Sequence, residues 1–248
     1  MNHLAIMKLK WTTWRKSLLV IPYVLLFSLS DIFLANRSDS FLDEKLWYSI
    51  CGRITSGNLQ ALILSTEILG TVFLFGILFA NYLPRFFENS SIIFTRIENR
   101  RKWAVKRIAD LFSAAITYST AYFFIKLLIA VNQVNEVRFG QHAAMVIIVL
   151  LNTLFTIYSV IGLLINLIAL RHGTHIGFSV SVAVVLALEV IAILFFDNSS
   201  NMLFNPFCLN PAVATSLQMA IEKVIIEWIY LFTLSTVLTF HIDKMDLF

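Results

Sequence analysis

Six long apolar stretches, separated by short polar ones, account for most of the chain. They cover about 17–36, 61–83, 108–131, 142–170, 176–196 and 220–241. Each is continuous rather than alternating, and each reaches the ~20 residues that a helix needs to cross hydrocarbon. A β-barrel would show many ~10-residue segments of alternating hydrophobicity, and is excluded on that ground. The pattern predicts an all-α polytopic membrane protein, one transmembrane domain over residues 1–248 with six spans and short connections. Lys8, Lys10, Arg15 and Lys16 precede the first run as they would in a signal peptide. That run is too long for a signal core and no small-residue cleavage pattern follows it, so a retained helix is expected.

Three connecting segments have patterns of their own. At the N-terminus, Leu4, Met7, Trp11, Trp14 and Leu18 recur at three- and four-residue spacing, with the basic residues on the other sides of the helix. Residues 2–16 are therefore predicted to lie flat as an elbow helix, with Trp11 and Trp14 at headgroup depth and Lys8 and Lys10 toward the phosphates. Between the second and third runs, Pro84 ends a span. Ser90 or Ser91 can then cap a short cytoplasmic helix over 91–107 that carries Arg96, Ile97, Arg100, Arg101, Lys102 and Trp103. A topology signal needs charge alone, whereas this segment alternates charge with Ile93, Phe94, Ile97 and Trp103 and so also offers a surface to a partner protein. Before the last run, Asn205-Pro206 and Asn210-Pro211 set turns among Leu203, Phe204, Phe207 and Leu209, which predicts a re-entrant or interfacial element.

Composition sharpens this picture. Of 248 residues, 58% are hydrophobic and 14% charged, against roughly 25% charged in a soluble domain, so soluble enzyme folds are set aside. The six runs leave no room for a nucleotide-binding domain. The net charge of +4 follows from topology and attraction to anionic headgroups, and no basic surface for nucleic acid is indicated.

Basic residues set the orientation. With the N-terminus inside, the cytoplasmic segments hold thirteen of the 19 Lys and Arg, including the seven from Arg85 to Arg107. The outer segments hold Arg37, Lys45, Arg53, Arg138 and Lys223, and Lys126 lies within a span. That bias predicts both termini in the cytoplasm.

Of the charges within the runs, four share one depth: Glu67, Lys126, Glu189 and Glu227. Counted from the outer ends of their spans, they sit at about 8–10 Å depth. Each ionised group in hydrocarbon costs on the order of 3 kcal/mol, so all four should face the bundle interior, a partner or a wet cavity. Two arrangements satisfy this. The charges can pair, since Lys223 and Glu227 are spaced i, i+4 and Lys126 can neutralise one glutamate. Alternatively they form an acidic outward vestibule suited to a cationic amphipathic substrate. Cys51 and Cys208 both fall in outer loops, where they either form a disulfide or stay unpaired. No metal site is indicated, because His172 and His175 have no carboxylate or thiol beside them. Gly177-Phe178-Ser179 has no partner histidine for an intramembrane hydrolase.

The elbow over Leu4–Lys16, the basic run Arg96-Ile97-Glu98-Asn99-Arg100-Arg101-Lys102-Trp103 and the apolar outer Asn205-Pro206-Phe207 together resemble the small six-helix permease subunits of export-class ABC transporters. Those that handle antimicrobial or signalling peptides and lantibiotic immunity are the most similar in arrangement. The resemblance spans the whole chain in architecture, through loose motifs. It implies a bacterial plasma-membrane permease without an ATPase of its own, paired with a second permease, identical or homologous, and with two ATP-binding subunits that carry the ATP and Mg. It makes the segment after the second span a coupling helix. The absence of a Gly-rich phosphate loop with Lys-Ser/Thr agrees with this. The alternatives are a non-transporting accessory or assembly subunit and, third, an intramembrane enzyme.

Overall fold

A computed structural model describes residues 18–27, 39–51, 70–79, 82–84, 100–195 and 217–244. Every regular element among them is an α-helix: α1 (Val20–Phe27), α2 (Leu42–Cys51), α3 (Gly70–Phe79), α4 (Arg100–Asn132), α5 (Ala143–His172), α6 (Thr174–Phe195) and α7 (Leu217–Lys244). Three of these, α4, α5 and α7, are long and apolar enough to cross a membrane. Shorter apolar helical stretches run over Gly70–Phe79 and Thr174–Val184. The elbow over 2–16, Glu67, the segment from Arg85 through Arg96 and Ile97, and the Asn-Pro loop with Cys208 lie outside the described residues.

Helix α5 is the centre of the bundle, packed against α4, α6, α7 and α2; α4 in turn packs against α1, α2 and α7. The α4–α5 seam is built from Leu111, Ala115, Tyr118 and Tyr122 on one side and Leu150, Leu154, Tyr158 and Ile161 on the other, all essentially inaccessible. Lipid tails are as apolar as leucine, so what holds this seam is close van der Waals packing and internal hydrogen bonds rather than escape from water. The tyrosines place those bonds where α3 meets the seam. The Tyr118 hydroxyl donates to the Thr71 carbonyl at 2.8 Å and that of Tyr158 to the Thr71 hydroxyl at 3.0 Å. Their rings lie 4.7 Å apart with Phe75 against both.

The α5–α6 corner is tight. Gly173 ends α5 at φ 87°, a left-handed conformation that a side chain disfavours, and donates its N–H to the Ala169 carbonyl at 2.9 Å. One turn on, Gly177 brings the two backbones together, since a Cβ there would stand 2.7 Å from the Ile165 carbonyl.

Two elements differ from the sequence expectation. Residues 37–60 read as an outer loop, yet Leu42–Cys51 is an amphipathic helix that buries Leu42, Leu46, Trp47 and Ile50 on α4 and α5. Its ten residues are too short and too mixed to register beside 20-residue apolar runs. In addition, the third apolar run begins at 108, but α4 begins by Arg100. Arg100–Arg107 are therefore the first two turns of a 33-residue helix rather than part of a separate short one. Hydropathy ends where the charge starts; the backbone does not, because Arg, Lys and Ala are good helix formers.

Candidate functional site

Glu227 has no access to solvent. Its carboxylate is used completely: Oε1 pairs with Lys223 Nζ at 3.1 Å and accepts from the Thr153 hydroxyl at 2.8 Å, while Oε2 accepts from the Asn152 side-chain amide. Asn152 Oδ1 in turn accepts from Trp228 Nε1 at 3.0 Å. The spacing explains the assembly, since Lys223 and Glu227 lie one turn apart on α7 and meet the adjacent Asn152 and Thr153 of α5. Of the two arrangements open to Glu227, the i, i+4 pairing is the one it adopts. Lys223, counted among the outer basic residues above, is equally buried, one and a half turns into α7. A buried ion pair of this kind gains little over an apolar contact, but losing one member strands the other charge.

Lys126, on α4, is also fully buried. Glu189 belongs to α6, although its side chain, like that of Cys51, is outside what is described. Among the vestibule residues the structure thus places Lys126 and Glu227 inside the bundle and does not describe the side chains of Glu67 and Glu189.

A second polar device sits where α3 ends. Asn166 of α5 accepts the Leu83 N–H at 2.8 Å and donates to the Phe79 carbonyl at 3.2 Å and to its own Gly162 carbonyl at 2.7 Å. In a continuing helix, the Leu83 N–H would bond the Phe79 carbonyl directly. The amide is interposed between them in the turn that follows α3, satisfying both backbone groups before the chain becomes helical again at Pro84.

The start of α4 presents the basic surface. Arg101, Lys102 and Lys106 are exposed, Arg100 and Trp103 are half-buried, and Ala104 packs inward. Arg107 is turned in. It pairs with Asp110 at 3.1 Å, lies 5.7 Å from the centre of the Trp103 ring, and shares Asp110 with the Tyr82 hydroxyl. The inner turn of this segment is thereby fixed to the bundle.

Sequence reasoning missed Asn152, Thr153, Asn166 and Trp228. The signal was present, since Asn152 and Asn166 are amides inside the longest apolar run, and polar groups in hydrocarbon are costly enough to mark a role. Among the described residues no group of His, Cys, Asp and Glu is placed to hold a metal. No known family, no curated protein and no solved structure matches the chain.

Proposed function

We propose that the chain is the membrane-spanning permease subunit of an ABC exporter, with six spans and both termini in the cytoplasm. It would move an amphipathic, cationic peptide outward using ATP hydrolysed by a separate subunit. The observation that carries this reading is the continuity of the basic segment with α4. A 33-residue helix is about 50 Å long and the hydrocarbon about 30 Å thick, so roughly 20 Å remains outside, and the basic end is the part that tolerates water. A subunit seated on Arg101, Lys102 and Lys106 would push on a rigid lever whose other end is packed at the centre of the bundle, so that a displacement outside becomes a tilt within. The Arg107–Asp110–Tyr82 contacts are the fulcrum of this lever.

The buried set at Glu227 is assigned here as the joint between α5 and α7, and cation recognition is left to Glu67 and Glu189. The test is co-purification of an ATP-binding subunit with the chain extracted in mild detergent. Arg101→Glu with Lys106→Glu, two exposed positions, should cut the captured ATPase on the order of tenfold without changing membrane insertion, since reversed rim charges act on association. Capture of no ATPase by the unaltered chain would instead favour the accessory-subunit reading.

A further inference from the structure

The α4–α5 connection carries large apolar side chains on a backbone that has nowhere to fold them. Val137 is 56% exposed and Phe139 58%, and Phe41, at the adjoining start of α2, is 43% exposed. A loose loop would turn such groups inward, because exposing them to water costs about 25 cal/mol per Å². This one is held. The Leu42 N–H bonds the Arg138 carbonyl at 2.8 Å, the Gly140 N–H bonds Asp43 Oδ1 at 2.7 Å, and the Asn135 amide bonds Asp39 Oδ1 at 2.7 Å. The loop is thus pinned to α2 along its length while its apolar side chains face away from the protein.

Its position identifies what those side chains meet. The connection begins just after Asn132 and ends just before Ala143, the facing ends of two spans, so it stands at the membrane boundary. Phe124, Leu128 and Val131, at i, i+4 and i+7 on α4, form an exposed apolar stripe that climbs to this boundary, and Ile148 does the same on α5. The patch at Phe41, Val137 and Phe139 continues a surface already turned toward lipid. Between the two loop residues, Arg138 holds Glu136 in an exposed ion pair, and its remaining guanidinium N–H groups are suited to headgroup phosphates.

We propose that Phe41, Val137 and Phe139 form an interfacial anchor, seated below the phosphates of the leaflet opposite the one that meets the basic start of α4. The anchor fixes the depth of the α4–α5 corner and, through Asp43, the position of α2 over the bundle. It depends on α4 and α5 being spans and is independent of any ATP-binding partner.

Spin-label accessibility on the full chain tests it. In a Cys51→Ser, Cys208→Ser background, single nitroxides are attached at Phe139→Cys, at Val137→Cys and, as the solvent reference, at Glu136→Cys. The proteins are placed in phosphatidylcholine–phosphatidylglycerol vesicles and probed with oxygen and a water-soluble nickel chelate. The anchor predicts oxygen-to-nickel ratios at 137 and 139 several-fold above that at 136, falling toward the reference value in lipid-free detergent-poor polymer. Free access of nickel to 139, as at 136, would overturn it. So would shielding of 137 and 139 from both reagents, the result expected if a protein partner or a second copy covered the patch. Because all three positions are exposed, the labels leave the fold intact, and two labelled apolar sites guard against an anomaly at one.

Discussion

Helices α5 and α7 are of nearly equal length, 30 and 28 residues, and both can cross a membrane, yet they sit in opposite environments. In the most apolar 18-residue stretch of α5, 61% of positions are buried; in that of α7, 22% are. The more apolar helix is therefore the more deeply buried one. Hydropathy reports that a helix can enter the membrane, and the distribution of small and polar residues decides which neighbour each side chain meets. Along α5, Thr153, Thr156, Ser159 and Asn166 are buried among aliphatic and aromatic side chains. Along α7, Ile221, Ile225, Ile229 and Phe232 are exposed, and burial is confined to a narrow line through Ala220, Lys223, Glu227, Leu231, Leu238 and Ile242. Spacings of three, four and seven keep that line on one side of the helix, so α7 meets the bundle along a seam and turns the rest outward.

The seam is where the comparison is easiest to break. Lys223→Met should have the largest effect, leaving the Glu227 carboxylate buried with Thr153 and Asn152 but without its cation, at a cost of about 3–5 kcal/mol. The readout is melting temperature in detergent. The double replacement Lys223→Met with Glu227→Met should recover most of the loss, because an apolar pair strands no charge.

A smaller effect separates the two helices directly. Leu154→Ala, inside α5, removes packing on all sides and should destabilise by roughly 2 kcal/mol or more. Ile229→Ala, on the outward face of α7, replaces a contact with detergent or lipid by another of the same kind and should change stability by less than about 0.5 kcal/mol. Equal losses at the two positions would mean that α7 is covered by protein along that face, and would remove the contrast.

How much of this was legible beforehand follows from what each signal measures. Continuous apolar runs announce helices by their length, and α5 and α7 are visible in that way, as is the i, i+4 pairing of Lys223 with Glu227. The partners of that pair were not, because Asn152 and Thr153 come from a helix seventy-odd residues away and periodicity carries no record of which helices meet. Asn166 was hidden for a different reason, since its function is to complete hydrogen bonds of the backbone near Pro84, and backbone vacancies leave no trace in side-chain pattern. Helix α2 was missed because its apolar positions, Leu42, Leu46, Trp47 and Ile50, make one face of ten residues rather than a run. The basic start of α4 was read correctly as to charge but assigned to a separate helix, because hydropathy stops at Ile108 while helix propensity continues to Arg100.

Glu227 sits as an internal joint between α5 and α7, bonded to Thr153 and Asn152 of one and Lys223 of the other. A double-mutant cycle of Thr153→Val and Glu227→Gln, followed by reversible unfolding in mixed micelles, measures that joint most directly. If the 2.8 Å hydrogen bond holds α5 to α7, the two losses should be coupled by about 0.6–1.7 kcal/mol, the range that such bonds reach between membrane helices. Strict additivity, with each single variant losing the same stability whether or not the other is present, would contradict the account.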